Sequence, residues 1–297
     1  MSGDAGSDGA WWRDPRARWP AGVGIVLVAS GLAHVVVWAL TGGPWEGPVT
    51  WRKPILFGIS GGLTCLSAGW VWAHLPRRRG DILLAGAMAG TLFVEVLLVD
   101  LQRWRGMASH FNRSTPLDSF LYDAMGVLIL FVSAVLLDLT VRLFFVGRGV
   151  APDMLLAARA GMVFLVISCG LGIWVGSNGD LRVAAGLDAD RFGAAGVPKF
   201  AHGVTIHAIQ WLPAIAWCAR RAGLSAGMSG RLVALALVGT AFILAYAVVQ
   251  TLLGGPRFPP LPAGMIVLGS GAVCLIVALV SIVVSCRPSV GPQAGPP

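Results

Sequence analysis

The sequence predicts an all-α integral membrane protein, a bundle of about eight transmembrane helices with the N- and C-termini in the cytoplasm. Of its 297 residues, 56% are hydrophobic and only 12% are charged. An ordinary soluble domain carries roughly a quarter charged residues, so this chain has too few to cover a water-facing surface. Long apolar runs recur along it, most reaching the roughly 20 residues that a helix needs to cross about 30 Å of hydrocarbon. The chain lacks the ten-residue alternation of a barrel strand, and lipid leaves no water to satisfy open backbone groups, so spanning helices are the remaining solution.

The runs lie at about 20–42, 54–75, 82–101, 117–141, 154–176, 202–218, 231–252 and 263–286. The first follows Trp11, Trp12, Arg13, Arg16 and Arg18. It is longer than a signal-peptide core and has no clear small-residue cleavage site, so it is expected to be retained. The second and third carry small residues at four-residue spacing, Gly58 with Gly62 and Gly86 with Gly90, as does the fifth with Gly172 and Gly176. Such spacing lets helix backbones approach closely. The fourth is announced by STPLD, with Thr115 as N-cap, Pro116 in the first turn and Asp118 as the following acid. The sixth is the shortest and most polar. Residues 1–19 form a cytoplasmic tail, disordered in part, 20–286 the membrane domain and 287–297 a disordered tail.

The formal charge of +8 does not mark a nucleic-acid surface, because the basic residues are scattered through loops. They read as topology signals, and Arg77–Arg79 with Arg220 and Arg221 in short loops place the N-terminus inside a cell membrane. The outer loops are then about 43–53, 102–116, 177–201 and 253–262, and most of the unusual polar residues fall there, which points to a site toward the extracytoplasmic face. Cys65, Cys169, Cys218, Cys274 and Cys286 fall within spans or at their ends without a CxxC pair, so they read as small core residues.

Ionisable groups inside a bilayer are costly and mark candidate functional sites. In the third span these are Glu95, which has no local partner, and Asp100, which Arg103 could neutralise from the next turn. Asp123 lies in the same outer half. Arg103, Arg105, His110 and Asn112 crowd the following loop. The sixth span opens KFAHGVTIHAIQWLP, gathering Lys199, His202, His207 and Gln210. On a regular helix His202 and His207 stand about 140° apart, unlike a metal-binding pair one turn apart, whereas His207 and Gln210 share a face. His34 could join this group, while His74 lies at the opposite interface. Asp138 and Arg159 read as a structural ion pair.

The strings WRKP at 51–54, RGMASHFN at 105–112, GDLR at 179–182 and HGVTIHAIQWLP at 202–213 resemble those of a family of uncharacterised bacterial multi-pass membrane proteins. The resemblance implies that the outer loops and the sixth span form one site; it implies no reaction.

Three functions fit these residues. The first is an intramembrane enzyme acting on a lipophilic substrate, with Glu95, Asp100, Asp123 and His207 as catalytic groups and Arg103, Arg105, Asn112, Lys199 and Gln210 contacting substrate. It would work by hydrolysis assisted by a divalent metal on His110, His202 and His207, a pattern loosely similar to that of seven-pass ceramidase-like hydrolases, or by acid-initiated prenyl cyclisation, as in membrane-bound terpene cyclases. The second is a proton-coupled carrier, although no inverted repeat or conspicuously broken span stands out. The third is haem binding, with His34, His202 and His207 as axial ligands. All three have the bilayer as partner and none requires nucleic acid.

Overall fold

The computed structural model describes residues 10–146, 149–258 and 262–285. Residues 1–9 of the expected N-terminal tail, Cys286 and the whole C-terminal tail lie outside the described residues. Among the described residues, a single turn of 3-10 helix at Trp11–Arg13 leads into nine α-helices: α1 (Pro15–Thr41), α2 (Arg52–His74), α3 (Asp81–Trp104), α4 (Pro116–Phe144), α5 (Pro152–Ala184), α6 (Pro198–Thr205), α7 (Ala208–Arg221), α8 (Ala226–Leu252) and α9 (Pro262–Ser285). Seven of them, all but α6 and α7, are long and apolar enough to cross a membrane.

The sixth run is not one helix but two, which corrects the expectation that no span is conspicuously broken. Pro198 starts α6, Ile206 keeps helical dihedrals, and the backbone departs from them at His207 (φ −103°, ψ 11°) before α7 begins. Within α7, Pro213 has no N–H to give the carbonyl one turn back. Other bounds also shift. α1 begins five residues before the first apolar run, because Asp14 caps it by accepting the Arg16 N–H at 2.8 Å, with Pro15 in the first turn. α5 runs to Ala184, so GDLR belongs to a helix and not to a loop. Thr115 caps α4 as expected, its hydroxyl accepting from the Asp118 N–H at 3.1 Å.

Two apolar cores share α5. Trp72, Met88, Leu136, Leu139 and Met162 belong to one, built on α1–α5. Phe164, Leu212, Val233, Ala236 and Ala278 belong to the other, built on α5 and α7–α9. Of the small-residue pairs, only Gly58 and Gly62 set a crossing. A Cβ on Gly58 would lie 2.8 Å from the Gly31 Cα, and one on Gly62 would lie 2.6 Å from the Gly24 carbonyl oxygen, so α1 and α2 touch backbone to backbone. Gly90 and Gly176 face open space. Gly161 makes an equally close crossing that the spacing rule missed, since its Cβ would lie 2.6 Å from the Ile209 Cα. The start of α7, just after the break, is therefore seated on α5.

At the end of the bundle where α2 turns into α3, a buried ionic array joins four helices. The Arg142 guanidinium holds both oxygens of Asp81, at 2.8 and 2.9 Å. Arg16 reaches the same carboxylate at 3.4 Å and the Leu75 carbonyl at 2.9 Å, and it grips Asp14 through two bonds of 3.0 Å. Arg16, Asp81 and Arg142 are each no more than 4% exposed. The expected Asp138–Arg159 pair does not form: Asp138 lies against Arg78 and Arg142, while Arg159 donates to the carbonyls of Leu143, Phe144 and Val146. Arg142, one turn along the same helix, reaches Asp138 first.

Candidate functional site

The expected residues separate into two regions. At the end of the bundle where α2 begins and α3 ends, the strings WRKP, RGMASHFN and GDLR meet. Phe111 takes a left-handed backbone conformation (φ 57°), uncommon for a side chain of its size. Its ring lies where a Cβ on Gly179 would be, 2.3 Å from that position, so the loop docks on α5 only because residue 179 is glycine. His110 lies among the rings of Phe57, Phe111 and Tyr122, with its Nδ1 2.9 Å from the Ser109 hydroxyl. Burial, reinforced by the charges of Lys53 and Lys199, pushes the His110 imidazole down to about 3, so it is neutral at physiological pH.

Three of the charged residues expected to act on a substrate, Arg105, Asp123 and Lys199, are held in this region by ion pairs with other residues. Asp118 is fully buried and accepts bonds from Gln102, Arg105 and Thr115, each at 3.0 Å or less. Asn112 closes its own loop, donating to the Ala108 carbonyl and accepting from Ser114. Asp123 is exposed and held by Arg113 through bonds of 2.9 and 3.2 Å. Lys199 pairs with Asp190. Arg182 ties down the loop that follows it by donating to the Asp188 and Gly193 carbonyls.

Asp100 and Arg103 do not pair. Asp100 accepts the Ser30 hydroxyl at 3.3 Å, and Arg103 lies 3.9 Å over the Trp51 ring. The two side chains are drawn to different helices. His34 is committed as well: its Nδ1–H donates to the Ser30 carbonyl at 2.9 Å, and its Nε2 accepts the Trp104 indole N–H at 3.1 Å. That bond leaves neither ring nitrogen free for haem. Glu95 is 4% exposed, and its Oε2 has no partner among the described residues.

The second region lies halfway through the bundle, at the break between α6 and α7. The Nδ1–H of His202 donates to the Ser168 carbonyl at 2.8 Å, the Ser168 hydroxyl returns a bond to the His202 carbonyl at 3.0 Å, and the ring lies against Gly172. His207 and Gln210 share a face as expected, with the His207 Nδ1–H donating to Gln210 Oε1 at 3.2 Å. The Gln210 amide then donates to the Ser67 hydroxyl at 2.9 Å and the Leu63 carbonyl at 3.3 Å. A polar chain thus runs from α7 to the middle of α2. Among the described residues no three His, Cys, Asp or Glu side chains come together in a way that could hold a metal ion, so His110, His202 and His207 do not form the expected ligand set.

Beside this chain lies a cavity of about 380 Å³, within the range of roughly 300–1,000 Å³ typical of ligand pockets. Leu63, Leu66, Ser67 and Trp70 of α2 form one wall, and Ile209, Gln210, Pro213 and Trp217 of α7 form the other, with Met154 of α5 nearby. It extends from the middle of α2 toward the Arg77–Arg79 end, away from the long loops where sequence placed the site. Ser67 was not foreseen, since one serine in an apolar helix carries no periodic signal; nor was Lys53, read only as part of WRKP. Compared with known proteins, the chain matches no family model, and no curated protein or solved structure matches it.

The depressed His110 has a consequence for stability. The unfolded chain, with a histidine near 6.5, binds a proton that the folded one refuses between pH 6.5 and about 3. Stability should therefore fall as pH is lowered through that window and be fully present above it. Melting temperatures measured from pH 7 to 4 should drop less steeply in His110→Phe than in the wild type; parallel curves would contradict the assignment.

Proposed function

We propose that this protein binds a lipophilic molecule that enters sideways from the bilayer into the cleft between α2 and α7, and that it is an intramembrane enzyme using His207 as acid/base group. The observation that carries this reading is the cleft itself: an apolar space beside the middle and second half of α2 whose polar groups are few and convergent, Ser67 and Gln210, with His207 bonded to Gln210. Because the His207 Nδ1–H is engaged by Gln210, its Nε2 is the nitrogen left to take a proton. Glu95, buried and without a partner, is the carboxyl suited to hold one. Asp123 and Asp118 are not, being saturated by ion pairs and hydrogen bonds.

A second reading, a carrier, is favoured by the interrupted sixth span, since helices broken at mid-membrane are where transporters build their sites. In both readings α6 and α7 together make an eighth crossing, which brings the two termini to the same, cytoplasmic, side of the cell membrane. An impermeant thiol reagent should then modify Arg78→Cys only when the cytoplasmic face is opened; labelling of intact cells would reverse the orientation.

Native mass spectrometry of the full chain in mild detergent tests the cleft. The wild type should retain a lipophilic species, Ala214→Trp, which fills the cleft, should lose it, and Val280→Trp on the exposed face of α9 should keep it. Equal retention by all three would defeat the reading. Conversion of the bound species to a new compound marks an enzyme, and its unchanged passage across proteoliposomes marks a carrier.

A further inference from the structure

A molecule in the cleft between α2 and α7 meets a polar wall whose hydrogen-bond donors are already spent. Gln210 sets the pattern. Its amide nitrogen lies 3.3 Å from the Leu63 carbonyl, which can only accept, so the nitrogen and not the oxygen faces that way. One amide N–H thus goes to Leu63, and the other goes to the Ser67 hydroxyl oxygen at 2.9 Å. The Ser67 O–H is given to the same Leu63 carbonyl at 2.8 Å. On the far side of the amide, Gln210 Oε1 takes the His207 Nδ1–H at 3.2 Å. The indoles of Trp70 and Trp217 lie nearly one and two turns further along their helices, toward the other end of the cleft.

The capacity that remains there is acceptor capacity. A hydroxyl oxygen and a carboxamide oxygen each carry two lone pairs; Ser67 Oγ spends one on Gln210, and Gln210 Oε1 spends one on His207. Both residues are half-buried and line the cleft. Pro213 adds a further acceptor beside them. Having no N–H, it cannot give the Ile209 carbonyl its α-helical bond, and Ile209 and Pro213 line the same cleft. An ether, ester or ketone oxygen brought to this wall faces lone pairs with no hydrogen between them, whereas an O–H bonds to them. Among the described residues that line the cleft none is charged, so an ammonium or a carboxylate finds no counter-ion.

We infer that the ligand of this cleft is a lipophilic alcohol, whose hydroxyl donates to the acceptors offered by Ser67, Gln210 and the Ile209 carbonyl, in preference to the corresponding ether, ester or ketone. The inference rests on the reading of the cleft as a ligand site and adds the class of molecule that it takes. An alcohol also suits His207 as acid/base group, because it carries a proton that a neutral imidazole can accept.

The test compares hexadecanol, its methyl ether and the methyl ketone of matching length, each titrated onto the full chain in mild detergent and followed by native mass spectrometry. The probes share an apolar chain and differ in whether the head can donate. Hexadecanol should bind about tenfold more tightly than the other two. Pro213→Ala, which returns an N–H to the Ile209 carbonyl, and Ser67→Ala, which removes one acceptor, should each narrow that gap, and Ala214→Trp should abolish binding of all the probes. Equal binding of the probes that is lost in Ala214→Trp overturns the inference while leaving the cleft as a ligand site. Tighter binding of the ether or the ketone does the same, as does a preference for hexadecanol that neither Pro213→Ala nor Ser67→Ala changes. No binding, or binding that survives Ala214→Trp, defeats the cleft and the inference together. Should Ser67→Ala fail to fold for want of its bond to Gln210, Pro213→Ala carries the comparison alone.

Discussion

The buried array of Arg16, Asp81 and Arg142 is the constraint on which the rest of the bundle rests. One carboxylate serves two guanidiniums, and those guanidiniums also take the carbonyls of Leu75 and Pro76 at the turn between α2 and α3. Buried charges are stable only when their bonds are satisfied, and removing one partner of such a pair costs roughly 3–5 kcal/mol. The array therefore tolerates one relative placement of the ends of α1, α2, α3 and α4. With the Gly24–Gly62 and Gly31–Gly58 contacts, it commits α2 to α1 and α3 on one side. The other side of α2 is left to meet α7 only through Gln210 and a few apolar side chains.

α7 is committed elsewhere too. Gly161 lets its first turn sink onto α5, and Ala216, Ala219 and Leu212 join it to the core built with α8 and α9. A cleft between α2 and α7 follows from these two separate anchorages, because neither helix can move toward the other without breaking a backbone-level contact. Broad side chains, Trp70 and Trp217, line its walls. The break before α7 lies between two seats on α5, the His202–Ser168 bonds of α6 and the Gly161 contact with Ile209 of α7, with the non-helical His207 between them.

The spanning helices were legible in the sequence because hydropathy over about 20 residues is a collective property that no single contact overturns. The Thr115 cap and the shared face of His207 and Gln210 were legible because they depend on a single turn. What could not be read was the choice between local and distant partners. Arg103 was expected on Asp100, yet the Trp51 face offered an apolar surface and a cation–π contact together. Asp138 was expected on Arg159, yet Arg142 sat closer on its own helix. The break in the sixth span was hidden because Gly203 and Pro213 permit a helix as well as an interruption, and both fall inside helices here while the non-helical residue is His207.

A photoactivatable lipid separates the central claim from its alternatives most directly. A diazirine placed on a bilayer-resident acyl chain, activated with the full-length protein in liposomes, should label peptides containing Trp70 of α2 and Trp217 of α7, and excess lipophilic competitor should suppress that labelling while labelling of α9 persists. Labelling confined to outward-facing residues such as Val280 and Val283 of α9, with the α2 and α7 peptides unmodified, would contradict lateral entry and with it the site proposed at His207.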